Sequence, residues 1–184
     1  IMNQYGPKGK VAWVYRHFPL DQPDPNGNVL HPNAGRESQA MECAAALGGN
    51  DKFWAYEKRL YEVTPSVTGA TPLGLDQKEL PEIAKFIGLD QVAFNDCLAR
   101  GEYKEKVEAQ YVSGVNAGVS GTPTSYIVLG DSINKSAQDY VANALIQYQV
   151  HNLLYVSADR KRSGMSGALP KNLIVGLIST LVGE

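Results

Sequence analysis

The stretch Gly118-Val-Ser-Gly-Thr-Pro-Thr-Ser-Tyr-Ile-Val-Leu129 says most about how this chain folds. Its first part, residues 119–123 after Gly118, contains Ser, Gly and Pro, which favour a tight turn. Its second part, residues 124–129, combines β-branched and aromatic side chains and predicts a strand. Taken alone, Gly-Thr-Pro is an ordinary turn with a trans bond, because cis X-Pro bonds are uncommon. The stretch therefore predicts a turn that leads directly into a strand.

Residue patterns on both sides of this stretch predict further strands and helices. Upstream, residues 11–18 (VAWVYRHF) are rich in β-branched and aromatic side chains and end at Pro19, which predicts a strand. Downstream, the patterns predict a helix over 131–150, a strand over 153–157 and a helix over 170–182 with its proline near the start. Arg160 to Arg162 form a short basic run that is typical of a solvated turn.

The region between the first and second strands is predicted to be helical. Long loops over 21–33 and 64–75 are dense in Pro, Gly, Asn, Asp, Ser or Thr. Caps, glycine stops and apolar spacing predict helices at the following positions: 34–47 after an Asn33 cap, 51–61, the helix that follows an Asp76/Glu79 capping box and ends at Gly88, a short helix capped by Asp90, and 102–117.

Length, composition and charge limit the classes of function. The chain has 184 residues, 43% hydrophobic and 20% charged, as expected for one globular domain with an insertion. Its net charge of −2 comes from 17 basic and 19 acidic residues, so nothing favours nucleic acid or an anionic membrane as a partner. No apolar run approaches the about 18 residues that a membrane-spanning helix needs.

The N-terminus indicates that residues precede the given chain. The sequence opens on Ile1, without an initiator Met and without a signal peptide. We expect that upstream residues were processed away or are missing, and that any export signal lies among them.

The two cysteines, Cys43 and Cys97, do not form a Cys-x-x-Cys pair. With the three scattered histidines they give no zinc-binding spacing, so no metal site is predicted. Each lies within an apolar helical pattern and not at a helix N-terminus, so position does not activate either thiol. The composition leaves two interpretations open: two buried thiols in a reducing compartment, or one disulfide in an oxidising one.

Several patches, in this order along the chain, resemble the DsbA family of thiol–disulfide oxidoreductases. Any one of them is weak, but together they cover nearly the whole chain. The most specific is Gly118 to Thr124, which is similar to the family's cis-proline loop. The other patches are Phe18-Pro-Leu20, His31-Pro-Asn-Ala34 with Glu42-Cys-Ala44, Lys52-Phe-Trp54, Phe94-x-x-Cys97-Leu98, and Ser166-Gly-Ala-Leu-Pro170.

The resemblance implies an α/β fold with a thioredoxin-like sheet and an inserted helical subdomain. The thioredoxin-like domain would comprise residues 1–33 and 118–184, and the helical subdomain residues 34–117. A departure lies at 131–150, where the family has a tight hairpin and this chain inserts about a helix.

The resemblance also implies that the redox cysteines lie outside the given chain. Residues 1–5 are similar to the last turn of the family's catalytic helix, with Gly6 as its C-cap, which places the Cys-x-x-Cys pair about a dozen residues before Ile1. The strand preceding that helix would lie between 11–18 and 124–129. Without it, or another segment in its place, two rows of backbone groups lack partners.

Within the given chain, the resemblance assigns the receiving half of the site to Gly121, Thr122 and Pro123. The Thr122–Pro123 bond would be cis, Pro123 would present no N–H, and Thr122 would tune thiolate stability and substrate release. Cys43 and Cys97 would form a structural disulfide. His17 would lie on the solvated face of its strand or against the helical insertion.

The function implied is an extracytoplasmic oxidoreductase for cysteine-containing protein substrates, recycled by a redox partner and needing no cofactor. The bacterial periplasm or cell envelope is the implied location. Two alternatives stay open. One is a redox-inactive thioredoxin-fold module that binds peptides or a partner at the Pro123 loop. The other is a kappa-type glutathione-dependent transferase or isomerase that uses a serine near the helix start.

Overall fold

A computed structural model describes residues 1–65, 74–149 and 154–183, with only the backbone at Tyr155. The predicted loop over 64–75 and the predicted strand start at residue 153 lie partly outside the described residues, and so does His151. The chain divides into two compact units: a sheet-containing unit of Ile1–Tyr15 with Val119–Glu184, and a helical unit of Arg16–Gly118. Residues 16–33 fall in the helical unit of this division, whereas the predicted domain boundary placed them with the thioredoxin-like part.

The described residues are mostly helical and contain one small sheet. In chain order the elements are α1 (Met2–Tyr5), α2 (Ala34–Val63), α3 (Glu79–Phe86), α4 (Gln91–Arg100), α5 (Lys104–Asn116), β1 (Thr124–Val128), α6 (Lys135–Gln147), β2 (Leu154–Val156), β3 (Arg162–Ser166) and α7 (Lys171–Val182).

Helix α2 joins the two helices that the sequence predicts over 34–47 and 51–61. The backbone leaves the helical conformation at Gly49, where φ is 75° and ψ is −168°. A positive φ of this size costs a residue with a side chain free energy, so the glycine allows the kink. Both helical segments are confirmed, and the Gly48–Gly49 pair bends the chain between them without separating it into two elements.

The ends of α4 follow the signals in the sequence. The side chain of Asp90 accepts a hydrogen bond from the backbone N–H of Ala93 at 2.8 Å, and Gly101 ends the helix in the left-handed region with φ 60°. These are the standard ways to satisfy free backbone groups at the two ends of a helix. At α3 the carboxylate of Asp76 accepts from the N–H of Lys78 at 3.0 Å, one turn before Pro81.

The helical unit has a core of large buried side chains from α2, α3 and α4. The rings of Tyr56 and Phe94 stack with centroids 5.4 Å apart, and both residues are fully buried. The hydroxyl of Tyr56 donates to the carbonyl of Leu80 at 2.9 Å, which satisfies the one polar atom of that side chain. Leu80, Ile83 and Leu98 are also buried in this unit.

The sheet has three antiparallel strands in the order β1-β3-β2. The predicted strands β1 and β2 are confirmed, but β3 was not predicted, because Arg, Ser and Gly have low strand propensity. As the central strand, β3 pairs with β1 on one side and β2 on the other. Ser163 and Met165 are 1% and 3% exposed, so two-sided pairing and burial outweigh the weak local preference. The basic run predicted as a solvated turn therefore ends inside a strand at Arg162.

Helices α6 and α7 cover one face of this sheet. Their shared core contains Ile133, Ala137, Val141, Ala144, Leu154, Met165, Leu173 and Leu177. Side chains alternate along β1: Ile127 packs against this core, while Val128 is 71% exposed. Helix α6 lies within the predicted 131–150 insertion. Along the chain, α6 and β2 come between β1 and β3, and these two strands pair with each other in the sheet.

The predicted strand over 11–18 is wrong, because residues 11–20 have no regular secondary structure. Strand propensity describes how well side chains suit a paired surface, and it does not supply the partner strand. Trp13 and Val14 are 48% and 72% exposed, and the described strands pair only among themselves. Further along, the N–H of His17 donates to the side-chain oxygen of Gln110 on α5 at 2.7 Å. In a sheet, this N–H would donate to a backbone carbonyl of the neighbouring strand.

Candidate functional site

The loop before β1 presents Thr122 and Pro123 on the surface. Both side chains are exposed, Gly121 is half-buried, and the Thr122–Pro123 peptide bond is cis. The hydroxyl of Thr124 donates to the carbonyl of Gly121 at 2.7 Å, which ties the first residue of β1 to the start of the loop. A Cβ at Gly121 would have no atom within 4 Å, so the surface beside the loop is open.

The hydrogen bonds on either side of β1 show which backbone groups face outward. The carbonyl of Pro123 accepts from the N–H of Gly167 at 2.7 Å, and the N–H of Leu129 donates to the carbonyl of Lys161 at 2.9 Å. Odd-numbered residues of this segment therefore bond to the neighbouring strand, and in an antiparallel pair the even-numbered ones point away from it. Among the described residues, no strand pairs with β1 on that outer side. Thr122 lies two residues before this strand, in the loop that leads into it.

The predicted cysteine pair lies in the helical unit. Cys43 of α2 and Cys97 of α4 form a disulfide between residues 54 positions apart in sequence. The two residues are 1% and 4% exposed, and the chain contains no other cysteine. Because both thiols are bonded and buried, neither is available as a nucleophile in the disulfide form.

A buried charged cluster that the sequence did not predict lies beside this disulfide. Nε2 of His17 lies 3.3 Å from Oε1 of Glu42, and Nζ of Lys106 lies 2.5 Å from Oε2. His17 and Glu42 are 3% and 5% exposed, whereas the Lys106 side chain is 52% exposed. Of the two predicted environments for His17, the structure has the one against the helical region. The missed signal was Glu42 itself, a charged residue in the apolar stretch 40–47, which requires a partner when buried.

Two glutamates of α2 have pKa values shifted in opposite directions. Burial raises the pKa of Glu42, but hydrogen bonds from His17 and Lys106 and the positive charge of both outweigh it, so the net pKa is lowered. At Glu37 burial dominates over its hydrogen bonds with Leu75 and Gln77, and the pKa is raised. The difference is that Glu42 accepts side-chain hydrogen bonds from both His17 and Lys106, which together outweigh its burial.

The described parts of the chain contain neither a metal-binding cluster nor a helix suited to a membrane span. Within residues 1–65, 74–149 and 154–183, no three His, Cys, Asp or Glu side chains are grouped to hold a metal ion. No helix in these ranges combines the length and apolarity that a membrane span requires.

The loop and the small helix-covered sheet are features of the thioredoxin class, and comparison with known families agrees. The family model Thioredoxin_4, described as Thioredoxin, matches residues 1–147. The chain therefore belongs to this DsbA-like family of thioredoxin-fold proteins, which confirms the prediction made from its motifs. Neither the curated proteins nor the solved structures gave a match.

The structure brings together the predicted site residues within each unit. Gly121, Thr122 and Pro123 form one exposed loop in the sheet-containing unit, and Cys43 and Cys97 form one buried bond in the helical unit. The roles given to these residues, substrate binding for the loop and a structural role for the disulfide, stay predictions.

Proposed function

We propose that the protein is a thiol–disulfide oxidoreductase for exported proteins, working through a Cys-x-x-Cys pair upstream of Ile1 that faces the Pro123 loop. The observation that carries this proposal is the exposed loop of Gly121, Thr122 and Pro123, in a chain of the DsbA-like family. We further infer a thioredoxin-like sheet from residues 1–33 and 118–184, interrupted by the helical subdomain 34–117.

The proposed reaction is a thiol–disulfide exchange that transfers two electrons from the client protein to the enzyme. A thiolate of the client protein attacks the Cys-x-x-Cys disulfide, forms a mixed disulfide and releases one enzyme thiolate. The second client thiolate then attacks the mixed disulfide, which leaves the client oxidised and the enzyme reduced. A separate redox partner removes the two electrons from the enzyme dithiol. Cysteine-containing proteins are therefore the substrates, and no cofactor is needed.

The open edge beside Thr122 supports peptide binding at this loop. An extended client segment can pair with the N–H and C=O of Thr122, as peptides do at sheet edges. Pro123 has no N–H of its own, and its carbonyl is already bonded to Gly167. Backbone pairing would therefore be concentrated on Thr122. This contact would hold the client thiolate next to the Cys-x-x-Cys disulfide that it attacks.

The disulfide in the helical unit bears on the compartment in which the protein works. The Cys43–Cys97 disulfide suits an oxidising environment. We therefore propose an extracytoplasmic location, the bacterial periplasm or cell envelope.

The proposal is tested by oxidative refolding of reduced ribonuclease A. Two proteins are compared: the 184-residue chain, and the same chain extended by the residues encoded upstream of Ile1. We expect the extended protein, once oxidised, to speed recovery of ribonuclease activity, and the 184-residue chain to give the uncatalysed rate. Activity of the 184-residue chain alone would contradict the proposal, since Cys43 and Cys97 would then be the exchanging pair.

A second candidate is a redox-inactive module that binds peptides or a partner at the Pro123 loop. It is favoured by the fact that both cysteines of the chain are joined to each other. The same experiment separates the two: upstream residues without a Cys-x-x-Cys pair, and an extended protein that leaves the refolding rate unchanged, would establish the binding module in place of the oxidoreductase.

A further inference from the structure

The segment 20–31 forms a closed surface loop on the helical unit. The N–H of His31 donates to the carbonyl of Leu20 at 2.9 Å and so joins the two ends of the loop. Inside it, Pro23 and Val29 form an isolated antiparallel bridge. Such internal bonds give a surface loop a fixed shape of its own, which is typical of functional loops.

Asp24 organises the tip of this loop and gives it a negative charge. Its Oδ1 accepts hydrogen bonds from the backbone N–H groups of Asn26 and Asn28, both at 2.8 Å, and its Oδ2 accepts from the amide of Asn28 at 3.2 Å. The bonds from Asn28 contribute most to lowering the pKa of this carboxyl. The carboxylate is also fully exposed to solvent, so it stays available to a cation.

A cleft of about 460 Å³ lies between this loop and α5. Its walls are mostly apolar and include Leu20, Val29, Leu30 and Tyr111, with Asp24 at the rim. The Tyr111 ring packs on Phe18 at a centroid distance of 4.8 Å, which fixes one wall. On the other wall, Val29 and Leu30 are 38% and 57% exposed. A loop of fixed shape therefore holds two apolar side chains in water beside an apolar cleft.

We propose that this cleft, named here the loop 20–31 cleft, docks an extended segment of another polypeptide that carries an apolar side chain next to a Lys or Arg. The apolar side chain fills the space between Leu30 and Tyr111, and the cation pairs with Asp24. Exposed apolar side chains grouped at a concave site mark binding surfaces. Because the loop is already shaped by its own hydrogen bonds, binding orders little of the protein.

The inference stands on the helical unit alone and does not depend on the proposed redox function. It is tested by titrating the isotope-labelled 184-residue chain with synthetic peptides and following backbone amide resonances. The probe is Gly-Ser-Lys-Leu-Phe-Lys-Ser-Gly. One comparison peptide replaces both Lys by Glu, and another replaces Leu-Phe by Ser-Ser. We expect the probe to shift resonances of Val29, Leu30 and Tyr111, with both comparison peptides binding about tenfold more weakly.

Two variants and a matched control locate the contact. Leu30→Ser removes an exposed apolar side chain from the wall, and Asp24→Asn removes the charge while keeping a side-chain oxygen for the loop. We expect Leu30→Ser to weaken binding about tenfold, and Asp24→Asn about threefold. Val92→Ser, at a 71% exposed apolar position on α4 away from the cleft, is expected to bind as the unchanged chain does.

Several outcomes would overturn the inference. These are no binding of the probe, shifts confined to other surfaces, or binding that Leu30→Ser leaves unchanged. Resonance shifts of the same cleft residues that depend on protein concentration, without any peptide, would show a second copy of the chain as the occupant, and they would equally overturn it.

Discussion

At the scale of single residues, Glu42 is a buried carboxylate that stays ionised because the side chains of His17 and Lys106 both contact it. Burial alone would favour the neutral form, since moving a charge out of water costs free energy. His17, almost fully buried, and Lys106, half-exposed, reverse that preference. The buried contact with His17 is screened less by water than the contact with Lys106, so it contributes more of the stabilisation.

We predict that Glu42→Gln destabilises the protein at pH 7 by about 1–3 kcal/mol, because it leaves buried His17 without its anionic partner. The folded-state pKa of Glu42 is below the ordinary glutamate value of 4.5, so ionised Glu42 stabilises the fold above that pH. This contribution is lost as the pH falls through the lowered pKa. Urea unfolding at pH 7 and at pH 3 should therefore show a deficit that shrinks in acid.

The control for this prediction is Glu62→Gln. Glu62 lies in α2 as well, and it pairs with Lys58 and Arg59 on the surface, with its side chain 47% exposed. Exposed pairs of this kind contribute little, so we expect a change within about 0.5 kcal/mol. Equal stabilities of Glu42→Gln and the unchanged chain at pH 7 would show that the buried cluster does not stabilise the fold.

Gly176 is a second residue whose identity is set by a close neighbour. A Cβ at this position of α7 would lie 2.6 Å from Cζ of Tyr140 on α6 and closer still to its hydroxyl oxygen. We predict that Gly176→Ala lowers the free energy of unfolding by about 1–3 kcal/mol, since the ring must move away. The hydroxyl of Tyr140 would then also lose its bond to the carbonyl of Leu173, at 3.2 Å.

Gly130 provides the matched glycine for this measurement. A Cβ there has no atom within 4 Å. Gly130→Ala should therefore be neutral or slightly stabilising, because alanine restricts the unfolded chain more than glycine does. Thermal unfolding of the two variants side by side gives the comparison, and a Gly176→Ala protein as stable as Gly130→Ala would contradict the packing argument.

At the scale of elements, the Cys43–Cys97 disulfide holds α2 to α4 across a sequence separation of 54. Closing a loop of that length stabilises the folded chain by about 4 kcal/mol on the chain-entropy model. We predict that the double variant Cys43→Ala with Cys97→Ala lowers the melting temperature by about 10 °C. Reduction of the unchanged chain should lower it by a similar amount, and two free thiols titrated in denaturant without reductant would contradict the disulfide.

Elements defined by local signals were predictable, and elements defined by distant partners were not. The Asp90 cap and the Gly101 stop located α4 because both act within one helical turn. Strand β3 was missed, since its burial comes from pairing with two other strands. The segment 11–18 was predicted as a strand for the opposite reason: its side chains suit a sheet, but no described strand pairs with it.

For the candidate site, the sequence located the loop of Gly121, Thr122 and Pro123 and proposed the cysteine pairing through family resemblance. It did not find the cluster of His17, Glu42 and Lys106, whose members lie far apart along the chain. Apolar patterning identifies Glu42 as an unusual residue, but only the packing of α2 against α5 and against the segment 11–20 identifies its partners. The loop 20–31 cleft was missed too, because loop composition does not reveal where Val29 and Leu30 point.

At the scale of the whole molecule, the sheet joins strands that the ribosome synthesises at different times. Strand β1 ends at Val128, and its partner β3 is complete only at Ser166, which is 166 − 128 = 38 residues later. At a synthesis rate of about 5–20 residues per second, β1 leaves the ribosome about 2–8 seconds before β3. During that interval the edge of β1 that later pairs with β3 is open, and its apolar side chains lack the α7 core. At this stage the nascent chain exposes an unpaired strand edge and apolar side chains, which are the features that chaperones bind.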